Sequence, residues 1–231
     1  MPPRILQVRT KILKKNDSLA RAMRDEFTAA GLFVVNLVSS PGTGKTRLLQ
    51  TTLTLLRETG RSSAAIVGDL ETDNDAKRLA ESGVPVRQIE THGCCHLEAD
   101  MVRRHLEGWD LAALDFLFIE NIGNLVCPAS WDLGESLRVA LLSVTEGEDK
   151  PLKYPGLFNT SDVAVITKTD LAEACEFRIP AARRNLESVR PGMPVLETSA
   201  KTGMGIAAWI DLLCTRRGEF LKGTAGAVPA P

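Results

Sequence analysis

The sequence predicts an α/β domain with a mostly parallel sheet and helices on both faces. Three observations lead there. Short apolar runs alternate with amphipathic stretches along most of the 231 residues. The stretch from Leu32 to Glu58 reads as strand, small-residue loop and helix. Leu114 to Ile119 is a continuous apolar run, the pattern of a strand buried on both faces.

Taken in order, residues 1–15 are basic and weakly patterned and read as an N-terminal arm. Asn16-Asp17-Ser18 is an N-cap cluster that opens an amphipathic helix, Leu19 to Ala30, ended by Gly31. A strand over Leu32–Val38 and a helix over Arg47–Glu58 follow. Ser63–Val67 and Val84–Ile89 read as strands, with a short helix, Ala76–Glu81, between them. Leu97–Leu106 reads as a helix. Strands are then expected at Leu137–Val144, Val163–Ile166 and Val195-Leu196. Pro180 suits the first turn of a helix reaching Val189, and the last helix spans Gly205–Arg216. Residues 16–222 thus make one domain with a leading helix, and residues 223–231, rich in Gly, Ala and Pro, a flexible tail. Ligands on such sheets sit beyond the carboxyl ends of the strands. The loops after Val38, Val67, Ile119, Ile166 and Leu196 should therefore converge.

Composition narrows the function. Apolar residues at 44% and charged residues at 25% are ordinary for a globular domain. A net charge of −1 gives a nucleic-acid partner no electrostatic support. No apolar run reaches the length of about 18 residues that a membrane helix needs. Met1-Pro2-Pro3-Arg4 has no apolar signal segment behind it. An odd count of five Cys then fits a reducing, cytoplasmic setting, where Cys packs or ligates. Cys175 and Cys214 read as packing residues and His105 as a solvated one.

The chemistry begins at Ser39-Ser40-Pro41-Gly42-Thr43-Gly44-Lys45-Thr46. A Gly-rich loop between strand and helix cradles phosphate oxygens with its backbone N–H groups, and the helix N-terminus adds positive potential. Ser40 to Thr46 are the expected phosphate contacts, with Lys45 on the terminal phosphates and the Thr46 hydroxyl on Mg²⁺. Ser39 stands where the motif has its first Gly, and requires a negative φ there. Phe116 to Ile119 ends on Glu120, the place of an acid that orders the Mg²⁺ shell. Asp69 and Asp75, after the second strand, are candidates for that shell; Asp75 is also one for positioning the attacking water. Each could equally be a solvated or helix-capping acid. Gly123 can let its N–H approach a γ-phosphate.

Thr167-Lys168-Thr169-Asp170 resembles the guanine-reading N-K-x-D box, in which the carboxylate accepts two guanine hydrogen bonds that adenine cannot give. Thr167 replaces Asn, which predicts a weakened tie to the phosphate loop. Ser199-Ala200-Lys201 resembles the box that caps guanine O6. A second cluster is His92-Gly93-Cys94-Cys95-His96, with Cys127-Pro128 past the fourth strand. Thiolate and imidazole are the donors that Ni²⁺ and Zn²⁺ favour.

Together these segments resemble the HypB family, the nickel-incorporation GTPases of hydrogenase maturation, from about Asn16 to Trp209. The likeness rests on Asn36 to Thr46, Gly68-Asp69 through Asp75-Ala76, and Cys95-His96-Leu97. It rests also on Phe118 through Ala129 and on Glu146 through Pro155. It implies a SIMIBI-type G domain of the P-loop NTPase class that hydrolyses GTP slowly with Mg²⁺. It implies a site for Ni²⁺ or Zn²⁺ from Cys95, His96 and Cys127, and a GTP-dependent homodimer. The implied partners are a maturation accessory protein and the hydrogenase large-subunit precursor, with no nucleic acid or membrane involved. Residues 1–35 hold neither Cys nor His, so the N-terminal nickel site of some members is not expected.

Cys127 lies four residues beyond Gly123, so nucleotide state is expected to move it relative to Cys95 and His96. Water, Cys94 or a second subunit could complete the ligand shell; a dimer interface is favoured. Two alternatives remain: a small-molecule P-loop kinase, and a GTP-switched accessory protein holding only structural zinc.

Overall fold

Seven strands lie side by side in the computed structural model, which describes residues 4–69 and 74–225. The elements are α1 (Arg4–Ala30), β1 (Phe33–Ser39), α2 (Lys45–Glu58), β2 (Ser63–Asp69), α3 (Asn74–Ala80), β3 (Val86–Glu90), α4 (Ala99–Leu106), β4 (Phe116–Gly123), β5 (Leu137–Ser143), α5 (Lys150–Lys153), α6 (Pro155–Asn159), β6 (Val163–Thr167), α7 (Ile179–Val189), β7 (Val195–Glu197) and α8 (Ile206–Ala225). The sheet order is β3-β2-β4-β1-β5-β6-β7. Every described strand pair is parallel.

Strand alternation builds a core on each face. Phe33, Val35 and Leu37 of β1 meet Leu49 and Leu53 of α2 and Trp209 of α8 on one side. Val34 points the other way, to Met23 and Phe27 of α1 and Val102 of α4. Val38 joins a third cluster with Phe158 of α6 and Leu186 of α7. The five inner strands are buried on both faces, as helix crossovers in a parallel sheet require, while the edge strands β3 and β7 are only half-buried.

Three elements differ from the sequence reading by more than two residues, and α5 and α6 are short helices it did not include. α1 runs unbroken from Arg4, with no arm up to residue 15 and no cap at Asn16-Asp17-Ser18. Asn16 instead points inward: its Nδ2 donates to the Asp132 carbonyl at 2.8 Å and its Oδ1 accepts from Ala99 N–H at 2.9 Å. Ser18 Oγ donates back to the Lys14 carbonyl, a bond of helix interiors. β4 continues past Glu120 to Gly123, because Gly123 still pairs with Ser39 of β1. α8 passes Arg216 and takes in residues 223–225, because Phe220 packs edge-on against Phe33 at 5.5 Å and Arg217 pairs with Asp115 at 2.6 Å. Residues 1–3 of the predicted arm, 70–73 of the loop after the second strand and 226–231 of the predicted tail lie outside the described residues. No described helix is long and apolar enough to cross a membrane.

Asn16→Ala should lower unfolding free energy by about 1–3 kcal/mol, since it leaves two buried backbone groups without partners. Ser18→Ala should stay within about 0.5 kcal/mol. Urea unfolding of both variants separates an inward cross-link from a helix cap.

Candidate nucleotide and metal site

The turn between β1 and α2 has the shape of a phosphate loop. Gly42 and Gly44 take φ of 72° and 97°, values that favour glycine, whereas Ser39 has no positive φ. Lys45, buried, donates to Ser39 Oγ at 2.9 Å, so the residue in place of the motif's first Gly serves as its acceptor. Burial lowers the Lys45 pKa, against the opposing charges of Glu120, Asp75 and Glu146. Thr43 Oγ1 donates to Glu146 Oε1 at 2.5 Å, a brace that the motif did not reveal.

Lys45, Thr46, Asp69, Asp75 and Glu120 share one cleft of about 390 Å³. Thr46 Oγ1 donates to Glu120 Oε1 at 2.7 Å. Glu120 is 3% exposed and its Oε2 has no hydrogen-bond partner. Burial pushes its pKa up to about 7; Lys45 and the Thr46 hydroxyl oppose that shift, and Asp75 and Asp69 add to it. Clustered carboxylates around a threonine hydroxyl, one with an orphaned oxygen, fit a hard divalent cation such as Mg²⁺.

An adjoining cavity of about 210 Å³ lies between Gly44, Asp170, Ala200 and Lys201. Ser199 Oγ donates to Asp170 Oδ1 at 2.6 Å, which joins the Thr167–Asp170 and Ser199–Lys201 segments directly. The tie expected to be weak is present. Thr167 Oγ1 donates to the Thr43 carbonyl at 2.7 Å, because the shorter side chain sits at the end of β6 against the loop. Lys168 (φ 57°) lies across the loop and donates to the Gly42 carbonyl at 2.6 Å.

The second cluster forms where two loops meet. The first loop turns at His92 and Gly93, both at positive φ, and is held by Thr91 Oγ1, which donates to the Cys94 carbonyl at 2.8 Å. Leu97, fully buried, anchors its far side. The second is the 3₁₀ turn Cys127–Ser130 beyond β4. They bring Cys95 Sγ to 2.7 Å from Cys127 Sγ and 3.8 Å from His96 Nδ1. One ligand atom each of Cys95, His96 and Cys127 lies within 4.8 Å of the others. The hydrogen bond with Cys127, then burial, raises the Cys95 pKa; burial lowers that of His96. Such a set suits a borderline cation that displaces the thiol protons. His92 is exposed and His105 bonds the Met101 carbonyl, so neither joins it. Cys214 packs on the core, but Cys175 is exposed in a turn.

Three residues that the motifs did not single out shape this cluster. Asn124 Oδ1 accepts from Val126 and Cys127 N–H, and its Nδ2 donates to the Cys95 carbonyl at 3.3 Å, so it spans both loops. Trp131 stacks on His96 at 4.2 Å. Arg138 donates to the Ala129 and Trp131 carbonyls and pairs with Glu135 at 2.6 Å. Asn36 donates to Glu135 and accepts from Asn121, whose Oδ1 accepts from Leu97 N–H at 3.4 Å. A buried polar chain thus runs from one cysteine loop to the other, past Glu120. Gly123 closes the remaining gap to the phosphate loop: a Cβ there would lie 2.7 Å from Pro41 Cα.

Fold and loop geometry define a P-loop nucleotide-binding protein with a thiol–imidazole cluster beside its phosphate loop. The family profile for the CobW/HypB/UreG nucleotide-binding domain matches residues 33–197, and the chain belongs to that family, among its HypB members. The hydrogenase maturation factor HypB of Azotobacter chroococcum is 47% identical over 98% of this chain and 74% of that protein. A crystal structure of HypB from Helicobacter pylori in complex with nickel superposes with a TM-score of 0.83 at 38% identity, covering 89% of this chain and 96% of that one. HypB from Archaeoglobus fulgidus gives 0.82 at 34% identity, covering 88% and 99%.

Arg138→Met should remove about 3–5 kcal/mol of stability, because it strands the Glu135 carboxylate in the interior. Urea denaturation measures the loss; a change under about 1 kcal/mol would mean that the chain of polar groups is not held by this pair.

Proposed function

We propose that the chain is a slow GTPase that carries nickel, or zinc, in its G domain and acts in the maturation of nickel–iron hydrogenase. The observation that carries this reading is the position of Cys127. Its sulfur lies 2.7 Å from that of Cys95, and it follows by four residues the glycine that packs against the phosphate loop.

In this reading Ser40 to Thr46 wrap the phosphates and Lys45 turns from Ser39 toward the terminal ones. Thr46, Asp69, Asp75 and Glu120 would hold Mg²⁺, which neutralises charge developing on the phosphates. Asp75 is the group placed to orient the attacking water; with no Gln or His just past Gly123, turnover is slow, as suits a switch. Thr167, Lys168 and Asp170 read the guanine with Ser199, Ala200 and Lys201, and the Ser199–Asp170 bond preorients the carboxylate. Cys95, His96 and Cys127 hold the cargo ion.

A γ-phosphate against Gly123 would shift the strand end, and with it Cys127, while Cys95 and His96 stay with the Leu97 anchor. That is one bistable segment biased from two sites. Three protein ligands leave a place for one more. Val126, 63% exposed beside Cys127, supports a site closed by a second copy of the chain when GTP is bound. The accessory protein and the large-subunit precursor are the proposed partners, in the cytoplasm.

Two outcomes are expected. Asp170→Asn should weaken GDP binding by about 1–3 kcal/mol and leave ADP binding unchanged by calorimetry. Ni²⁺ affinity, measured with GDP and with a non-hydrolysable GTP analogue alongside oligomeric state, should differ between the two. Cys127→Ala should erase that difference and keep nucleotide binding. Equal affinities in both states would leave a guanine-nucleotide hydrolase with a structural metal.

A further inference from the structure

We propose that Cys94, His96 and Glu98 form a second site for a divalent transition-metal cation, sharing His96 with the first. This deepens the metal-carrier reading and rests on it for the choice of ion.

Geometry supports the set. Cys94 Sγ lies 3.8 Å from His96 Nδ1 and 3.9 Å from Nε2, and His96 Nε2 lies 3.7 Å from Glu98 Oε1. One ligand atom from each of the three residues falls within 4.8 Å of the others. Tetrahedral coordination at ordinary zinc bond lengths separates neighbouring donor atoms by about 3.4–3.6 Å. The two pairs that include His96 therefore need to close by only a few tenths of an ångström around an ion, and the Cys94–Glu98 pair by about 1.2 Å at most. Glu98 precedes α4 but makes no side-chain capping bond, so its carboxylate is not committed to the helix.

The chemistry agrees. One thiolate and one carboxylate cancel the charge of a divalent cation, and a neutral imidazole completes three ligands. A carboxylate makes this set harder than the two-thiolate set across the loops, so it should hold nickel or zinc more loosely.

The two sets differ in what they depend on. Cys95 and Cys127 come from separate loops, whereas Cys94, His96 and Glu98 lie within five residues of one chain segment. The second set stays assembled when Cys127 moves away. His96 Nδ1 is equally far from the Cys94 and Cys95 sulfurs, at 3.8 Å, and Nε2 faces Glu98. An ion can thus pass between the sets by ligand exchange. Bonds to Cys95 and Cys127 break and bonds to Cys94 and Glu98 form; the Cys94 thiol gives up its proton, and the two released thiolates take up that proton and one more from water. No electron is transferred. The second set would keep the ion on the protein while the first one opens.

Co²⁺ titration of the full chain tests this by the sulfur-to-metal charge-transfer band, which reports how many thiolates bind. The double variant Cys95→Ser/Cys127→Ser should still bind Co²⁺ with a one-thiolate band. Adding Cys94→Ala should abolish the band, and adding Glu98→Gln should weaken binding about tenfold or more while keeping it. A double variant with no band above that of the triple variant lacking Cys94 would overturn the proposal and reduce Cys94 to a ligand of the first site. Circular dichroism checks folding. If the double variant does not fold, Cys127→Ala alone decides: adding Glu98→Gln then weakens Co²⁺ binding about tenfold or more if the proposal holds, and leaves it unchanged if Cys94 serves only the first site. Nucleotide is absent throughout, so this result is independent of whether GTP changes nickel affinity.

Discussion

Arg138 and Glu135 sit in the interior, 8% and 9% exposed, and nearly every polar atom they carry is used. The guanidinium bonds Glu135 and the carbonyls of Ala129 and Trp131. The carboxylate also takes Leu133 N–H and the Asn36 amide. A loop that leaves a parallel sheet has no ladder to satisfy its backbone, and buried carbonyls need partners. Here a charged side chain from β5 supplies them. A pair this buried adds little net stability by itself, but removing one member is costly. Its effect is to fix where the 3₁₀ turn carrying Cys127 can lie.

That constraint shapes the site. The turn is held from Ala129 onward by Arg138, and on its other side it joins β4 at Gly123. Cys127 lies between an anchored end and an end that touches the phosphate loop. The facing loop is secured separately, by Leu97 in the core and by Asn121, which bonds its backbone. Asn121 follows Glu120 on the same strand, so the residue beside the buried acid of the phosphate cleft also sets the height of the opposite cysteine loop. Two pockets with different chemistry are built from one strand end.

Much of this could be read from residue order. The phosphate loop, the acid ending an apolar strand and the Thr167–Asp170 and Ser199–Lys201 segments are local patterns whose spacing implies geometry, and the structure brings them together beyond the carboxyl ends of the strands. The cysteine cluster was legible as a donor set, but its closure across 32 residues of chain was not a local property. The errors have physical causes. Asn16 looks like a cap because Asn usually is one, yet its amide is consumed by α4 and the loop at Asp132. Thr167 in place of Asn predicts a weakened tie to the phosphate loop, yet its hydroxyl bonds the Thr43 carbonyl directly. Asn124 and Arg138 left no periodic signal, although polar groups within apolar stretches were the available hint. β4 outruns its apolar run because Glu120 and Asn121 interrupt the pattern but stay inside, with the Asn121 side chain satisfied there.

The approach of Gly123 to Pro41 has a mechanical meaning. Most neighbouring segments in a folded chain touch through side chains, whose rotamers can yield and soften a push. Here main chain meets main chain at a distance that no Cβ could share. Proline adds a rigid ring on one side and glycine offers no side chain on the other. A small displacement of the loop would have no soft side chain between it and the strand end in which to spend itself.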